Sequence, residues 1–157
     1  MQRPEVIEVG DSFSVDDLEP LSDDFQLAAT SRRLFFIFTT TCPYCEKNVD
    51  NWKRIVELIG PDNEMIAGIA LDLPDNTRQY VNDHELNYPI VYPNDIAGFK
   101  EMNKLNGVPI MLLTDENGVA EKVWLGVLTE ENIKEAVTAV TQNKSLFEPK
   151  PINGGKL

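Results

Sequence analysis

The residues best suited to covalent chemistry are two cysteines, and both lie in Thr41-Cys42-Pro43-Tyr44-Cys45-Glu46. Cysteines this close do not cross-link distant parts of a chain, so their spacing fits redox work. A helix beginning here would make them unequal. With Cys42 as the residue that caps the helix, Pro43 takes the first helical position, where its missing N–H costs nothing and its fixed φ suits the helix. The free backbone N–H groups and the helix dipole then face the Cys42 sulfur and favour its thiolate. Cys42 is therefore the candidate nucleophile. Cys45, one turn inside the helix, is expected to be buried and protonated, and to resolve a mixed disulfide by attacking Cys42. The competing reading, an inert pair or half of a metal site, lacks partners in the sequence: there is no second CxxC, and the one histidine, His84, lies far along the chain. No metal or organic cofactor is expected, and His84, at the end of a surface helix, reads as solvated.

The elements around the cysteines place them at a strand-to-helix junction. Leu34-Phe35-Phe36-Ile37-Phe38 is a continuous apolar run rich in β-formers, the pattern of a strand covered on both faces. Beyond the cysteines, Val49, Trp52, Val56 and Ile59 recur at helical steps and Gly60-Pro61 stops the helix. A second buried strand spans Met65 to Leu71, a helix follows from Thr77 to about His84, and Tyr88 to Val91 is short and apolar. Ile96, Phe99, Met102 and Leu105 have helical spacing. Ile110 to Leu113 reads as a strand, Asp115-Glu116-Asn117-Gly118 as a hairpin turn, and Val119 to Leu125 as the return strand. Thr129 caps a last helix with Ile133, Ala136, Val137 and Val140 on its apolar face. The organisation expected is an acidic N-terminal extension over 1–31 with one short strand near Phe13 to Val15, one α/β domain over 32–143, and a flexible tail over 144–157.

Composition narrows the partners. At 157 residues the chain buries a core without disulfide staples, which leaves both cysteines available for chemistry. The net charge of −12 repels phosphate backbones and anionic membrane surfaces, so no nucleic-acid or membrane partner is expected. Residues 1–24 hold one basic residue, Arg3, against eight acidic ones, so most of the excess lies outside the body of the protein. The longest apolar run, Leu34 to Phe38, is far short of the roughly 20 residues that span a bilayer. Met1 to Glu5 lacks the apolar core of a signal peptide, so no leader is expected within this chain.

The order β-α-β-α-β-β-α, with Cys-Pro-Tyr-Cys after the first core strand, resembles the thioredoxin fold, and within it the TlpA/ResA-like branch of extracytoplasmic thiol-disulfide oxidoreductases. Three stretches carry the resemblance, which covers roughly Gly10 to Gln142: Phe38-Thr39-Thr40-Thr41-Cys42-Pro43-Tyr44-Cys45, Gly107-Val108-Pro109, and the hairpin from Asp115 to Gly118 with Leu125-Gly126. It implies an α/β fold with a central mixed sheet flanked by helices. It further implies that Val108-Pro109 forms a cis peptide facing the cysteines, with the Val108 backbone pairing with an extended substrate. The function implied is disulfide exchange with protein thiols or disulfides, as a reductant supplied by an unidentified redox partner, outside the cytoplasm. A cytoplasmic location stays open, and so does a second function, a thioredoxin-fold binding module that holds a partner without turnover.

The chain also departs from its relatives. Phe36 stands where thioredoxins carry a buried Asp, Asn48 where many ResA-like reductases carry Glu, and Thr41 where a Trp commonly precedes the first cysteine. Glu46 remains as a nearby carboxylate, favoured in a first turn by the dipole alone. Pro43-Tyr44 is the glutaredoxin dipeptide; if it dominates, the potential lies near roughly −200 to −230 mV. A peroxidase pattern fails because Phe35 occupies the place of its proline.

Overall fold

Alternate residues of one strand seed both halves of the core. The computed structural model describes residues 5–23, 25, 27, 31–60 and 64–146, the last five as backbone. The first two strands are β1 (Leu18–Pro20) and β2 (Arg33–Phe38), and every residue of β2 is buried. Leu34, Phe36 and Phe38 point into one apolar cluster, and Phe35 and Ile37 into another on the opposite face. Period-two alternation explains the split, and burial on both faces explains why the run shows no polar residue between Leu34 and Phe38.

Helix α1 (Pro43–Ile59) covers the first face with Cys45, Val49, Trp52, Ile55 and Val56. Strand β3 (Ile66–Ala70) is followed by α2 (Pro74–His84), then by β4 (Ile90–Pro93) and the short α3 (Ile96–Met102). Strands β5 (Ile110–Thr114) and β6 (Ala120–Leu125) form the hairpin, and α4 (Glu130–Leu146) closes the chain against α1. Its start is capped by Thr129, whose Oγ1 accepts from the Asn132 N–H at 3.1 Å. The sheet runs β1-β4-β3-β2-β5-β6. Strands β2, β3 and β4 are parallel to one another, whereas β5 is antiparallel to β2, β6 to β5 and β1 to β4.

This is the α/β arrangement the sequence implies, a mixed sheet with helices on both faces. Central β3 needs its glycine: a Cβ at Gly68 would lie 2.7 Å from Ile90 Cδ1 and 2.9 Å from Tyr88 Cε2. The element bounds differ from the periodicity reading by a few residues. Helix α2 begins at Pro74, because proline suits the first helical position, and α3 stops at Met102 because Asn103 leaves the helix.

The N-terminal segment departs further. No strand forms at Phe13 to Val15; only Ser12 bridges to Val119, and the strand lies at Leu18–Pro20 on the sheet edge. The physical reason is that Phe13 is held by its ring and Ser14 by a side chain. Phe13 packs 5.4 Å from Phe35 and 5.8 Å edge-on from Phe99. The buried amide of Asn103 accepts from the Ser14 N–H at 2.9 Å and donates to the Ser14 carbonyl at 3.0 Å, so no ladder partner is needed. Ile7 and Phe13 thus belong to the core although they lie in the acidic stretch. At the other end, α4 continues through 144–146, and the remainder of the expected tail lies outside the described residues.

Candidate active site

Strand direction brings the key residues to one edge of the sheet. Antiparallel pairing sets Ile37 opposite Ile110 and Ile110 opposite Leu125. The end of β2, the start of β5 and the end of β6 therefore converge, bringing Cys42, Val108-Pro109 and Gly126 together across long sequence separations.

Cys42 caps α1 with extended dihedrals (φ −101°, ψ 114°), and its Sγ accepts the Cys45 N–H at 3.1 Å. Pro43 occupies the first turn. This is the geometry in which unpaired helix N–H groups meet a sulfur. Cys42 is partly exposed, whereas Cys45 is fully buried. Burial, joined by a hydrogen bond with Cys42, pushes the Cys45 thiol well up, against a lowering backbone hydrogen bond from Thr39. Tyr44 is exposed, with Lys47 Nζ 5.3 Å from its ring centroid. Facing the pair, the Val108-Pro109 peptide bond is cis, and the Cys42 Sγ lies 3.8 Å from the Val108 carbonyl.

Two residues missed as site elements flank the pair. Asn48 is buried on α1: its Nδ2 donates to the Gly126 carbonyl at 3.0 Å, and its Oδ1 accepts from the Leu128 N–H at 2.9 Å. Its signal was in the periodicity, since Asn48 lies in the same stripe as Cys45, Val49 and Trp52. On the other side, Asp72 follows β3 and holds Thr40 through both the Thr40 N–H and Oγ1. Burial works to raise the Asp72 carboxyl, but hydrogen bonds from Thr40, Asn76 and Leu73 outweigh it and hold the group below the usual range. Phe36, standing where thioredoxins carry a buried Asp, stacks on Trp52 at 5.1 Å.

His84 corrects the solvated reading. Its Nε2 lies 3.2 Å from Glu46 Oε2, its Nδ1 lies 3.0 Å from the Tyr80 carbonyl, and its ring stacks on Tyr80 at 4.0 Å. A C-terminal position on α2 brings it across to the first turn of α1, a proximity that a sequence separation of 38 concealed. Burial, with further contributions from Cys45, Glu46 and Cys42, pushes the Tyr80 hydroxyl up to about 12. A cleft of about 630 Å³ opens on this side, lined by Thr40, Thr41, Glu46, Asp75, Tyr80 and His84 among others. No group of three or more candidate metal ligands occurs among the described residues.

A pair of cysteines at the start of the helix that follows the central strand, opposite a cis-proline, defines a thioredoxin-fold protein. Comparison places it more narrowly, among proteins similar to thiol-disulfide oxidoreductases. The chain is 25% identical over 108 residues to sporulation thiol-disulfide oxidoreductase A of Bacillus subtilis, a match that covers 66% of this chain and 65% of the relative. It superposes on the crystal structure of StoA from Bacillus subtilis with a TM-score of 0.58 and 19% identity, over 69% of this chain and 83% of that one. The thioredoxin domain of a thiol-disulfide oxidoreductase from Bacteroides vulgatus gives a TM-score of 0.64 at 14% identity, over 85% and 98%. No family model matches the chain.

Proposed function

We propose that the protein is a thiol-disulfide oxidoreductase that reduces disulfides in other proteins through Cys42 and Cys45. The observation that carries the reading is the inequality of the two sulfurs: one is accessible at a helix N-terminus, and the other is fully buried one turn behind it. The Cys42 thiolate attacks one sulfur of the substrate disulfide. A Cys42–substrate disulfide forms, and the substrate's other sulfur leaves as a thiolate that takes up a proton. Cys45 then loses its proton and attacks the Cys42 sulfur. The mixed disulfide breaks, the second substrate thiol departs, and the two electrons now missing from the protein have reduced the substrate. A dithiol donor must restore Cys42 and Cys45 for a further cycle.

Val108-Pro109 presents the substrate: the Val108 backbone, beside Cys42 and at the open end of β5, offers strand-like pairing to an extended segment around the target cysteine. Pro43 and Tyr44 complete the motif, Pro43 as a helix starter and Tyr44 as an exposed ring at the rim. The reductive direction and a place outside the cytoplasm are what the resemblance of the sequence motifs to the TlpA/ResA-like branch implies. No helix among the described residues is long and apolar enough to cross a membrane.

Insulin turbidity with dithiothreitol, together with a Cys45→Ser trap, tests the reading. Wild-type protein is expected to reduce insulin, Cys42→Ser to be inert, and Cys45→Ser to accumulate a mixed disulfide on Cys42. Absence of turnover by the wild type and absence of trapped species would leave the dithiol as part of a binding module.

A further inference from the structure

We infer that Asn48 is a positioning residue for substrate selection: by tying α1 to the β6–α4 connection, it sets the Val108-Pro109 segment at working distance from Cys42. The inference rests on the proposed substrate-presenting role of Val108.

The links form a closed ring. Asn48 lies in α1, behind Cys45, and is 1% exposed. Its Nδ2 donates to the Gly126 carbonyl at 3.0 Å, and the Gly126 N–H donates to the Pro109 carbonyl at 3.0 Å. Val108, the next residue back, has its carbonyl 3.8 Å from the Cys42 Sγ, and Cys42 caps the helix that carries Asn48. On its other side, Oδ1 accepts from the Leu128 N–H at 2.9 Å and from Asn51 Nδ2 at 3.0 Å. Asn48 thus holds both sides of Val127, and it pins the turn at Gly126 (φ +85°) on which Pro109 hangs.

The chemistry of the side chain is specific. The backbone groups it meets are one acceptor and one donor, so the residue must donate from one atom and accept at the other. Asparagine does both, and its partners fix which atom is nitrogen. Aspartate of the same shape offers only acceptors when ionised and would turn a carboxylate against the Gly126 carbonyl. Leucine offers neither function and leaves the buried Leu128 N–H and the partly buried Gly126 carbonyl without this partner. The neutral amide therefore serves a geometric role at the position where a carboxylate would handle protons.

A protein substrate that pairs with the Val108 backbone needs that distance; a small disulfide that meets only the sulfur does not. Steady-state kinetics on Asn48→Asp and Asn48→Leu, with an unfolded protein disulfide and with hydroxyethyl disulfide, separate the cases, provided near-ultraviolet circular dichroism shows a native fold. The expected result is a KM for the protein substrate raised about tenfold, with kcat/KM for the small disulfide within about twofold of wild type. For Asn48→Asp the defect should shrink relative to wild type as pH falls, because the protonated carboxyl regains one donor and one acceptor. Equal losses on both substrates, or no change on either, overturn the inference while wild-type turnover still upholds the proposed function. A variant that does not fold is replaced by Asn48→Ala, which removes both hydrogen bonds without adding charge or bulk and should show the same split. No turnover of either substrate by the wild type would instead sink the proposed function.

Discussion

The two flanks of the cysteine pair are built from different materials. On the β5–β6 flank, Val108-Pro109, Gly126, Leu128 and Asn48 are joined by neutral hydrogen bonds, and no ionisable side chain takes part in the chain from Asn48 to Pro109. On the α2 flank, Thr40 is held by Asp72, and Glu46 meets His84 over the ring of Tyr80. Neutral links keep their geometry across pH, whereas links through carboxylates and imidazole change with it. If Val108-Pro109 presents substrate as proposed, that presentation is indifferent to pH, whereas the support that Asp72 gives the Cys42 loop responds to it. Cys45 stands between the flanks, buried like the first and titratable like the second.

The largest effect expected from this division concerns Cys45 itself. Its thiol is pushed up in the folded state, so the reduced protein keeps its full stability below the unfolded-chain value of about 8.5 and loses it as pH rises toward the higher folded value. The slope is about 1.4 kcal/mol per pH unit, or roughly 2 kcal/mol between pH 8.5 and 10. Tyr80 and Tyr88 are also raised, but unfolded tyrosines reach half ionisation only at about 10, so the larger part of the loss below that pH belongs to the thiol. Urea melts of the reduced protein against Cys45→Ala should show the wild type losing this increment and the variant keeping most of it. Parallel curves would place Cys45 with the neutral flank.

A smaller effect belongs to Asp72. A carboxyl depressed in the folded state stabilises above the unfolded value of about 3.9 and loses that contribution as pH falls through its folded value. Asp72→Asn should therefore unfold more readily than wild type at pH 7, and the two melting curves should converge below about pH 4. The loss should be confined to the α2 flank, leaving amide exchange at Gly126 unaltered. Faster exchange at Gly126 in this variant would show that the two flanks are mechanically one.

How much of this was legible in the sequence depended on the range of the contact. The β2 run, the α1 stripe and the Cys-Pro start are local patterns, and they placed Cys42 and Cys45 at the junction where they lie. Val108-Pro109 lay within reach only through resemblance, because its approach to Cys42 depends on β5 running antiparallel to β2, which no local spacing encodes. His84 misled for the same reason: the residues just before it, Asn82 and Asp83, are polar, and nothing near it in sequence announces Glu46. Phe13 misled differently, since an apolar residue among strand formers can be anchored by its ring while a distant amide, that of Asn103, serves the adjoining backbone. Asn48 was the readable case that went unread. A polar residue inside an apolar stripe must be buried and must find partners.

The smallest effect is expected where the charged flank comes nearest to Cys42. Glu46 lies in the first turn of α1 and pairs with His84, yet its side chain is 62% exposed. An exposed pair of this kind is screened by salt and worth little to stability, so the cysteines should feel it weakly. Glu46→Gln keeps the side chain's length and its ability to meet His84 while removing the charge. Its kcat/KM on a protein disulfide at pH 7 should stay within about twofold of wild type, and its thermal midpoint should shift by no more than the scatter between preparations. A tenfold loss would mean that Glu46 acts on the thiol chemistry directly, and the contrast between a neutral flank and a charged flank would have to be redrawn with Glu46 at its centre.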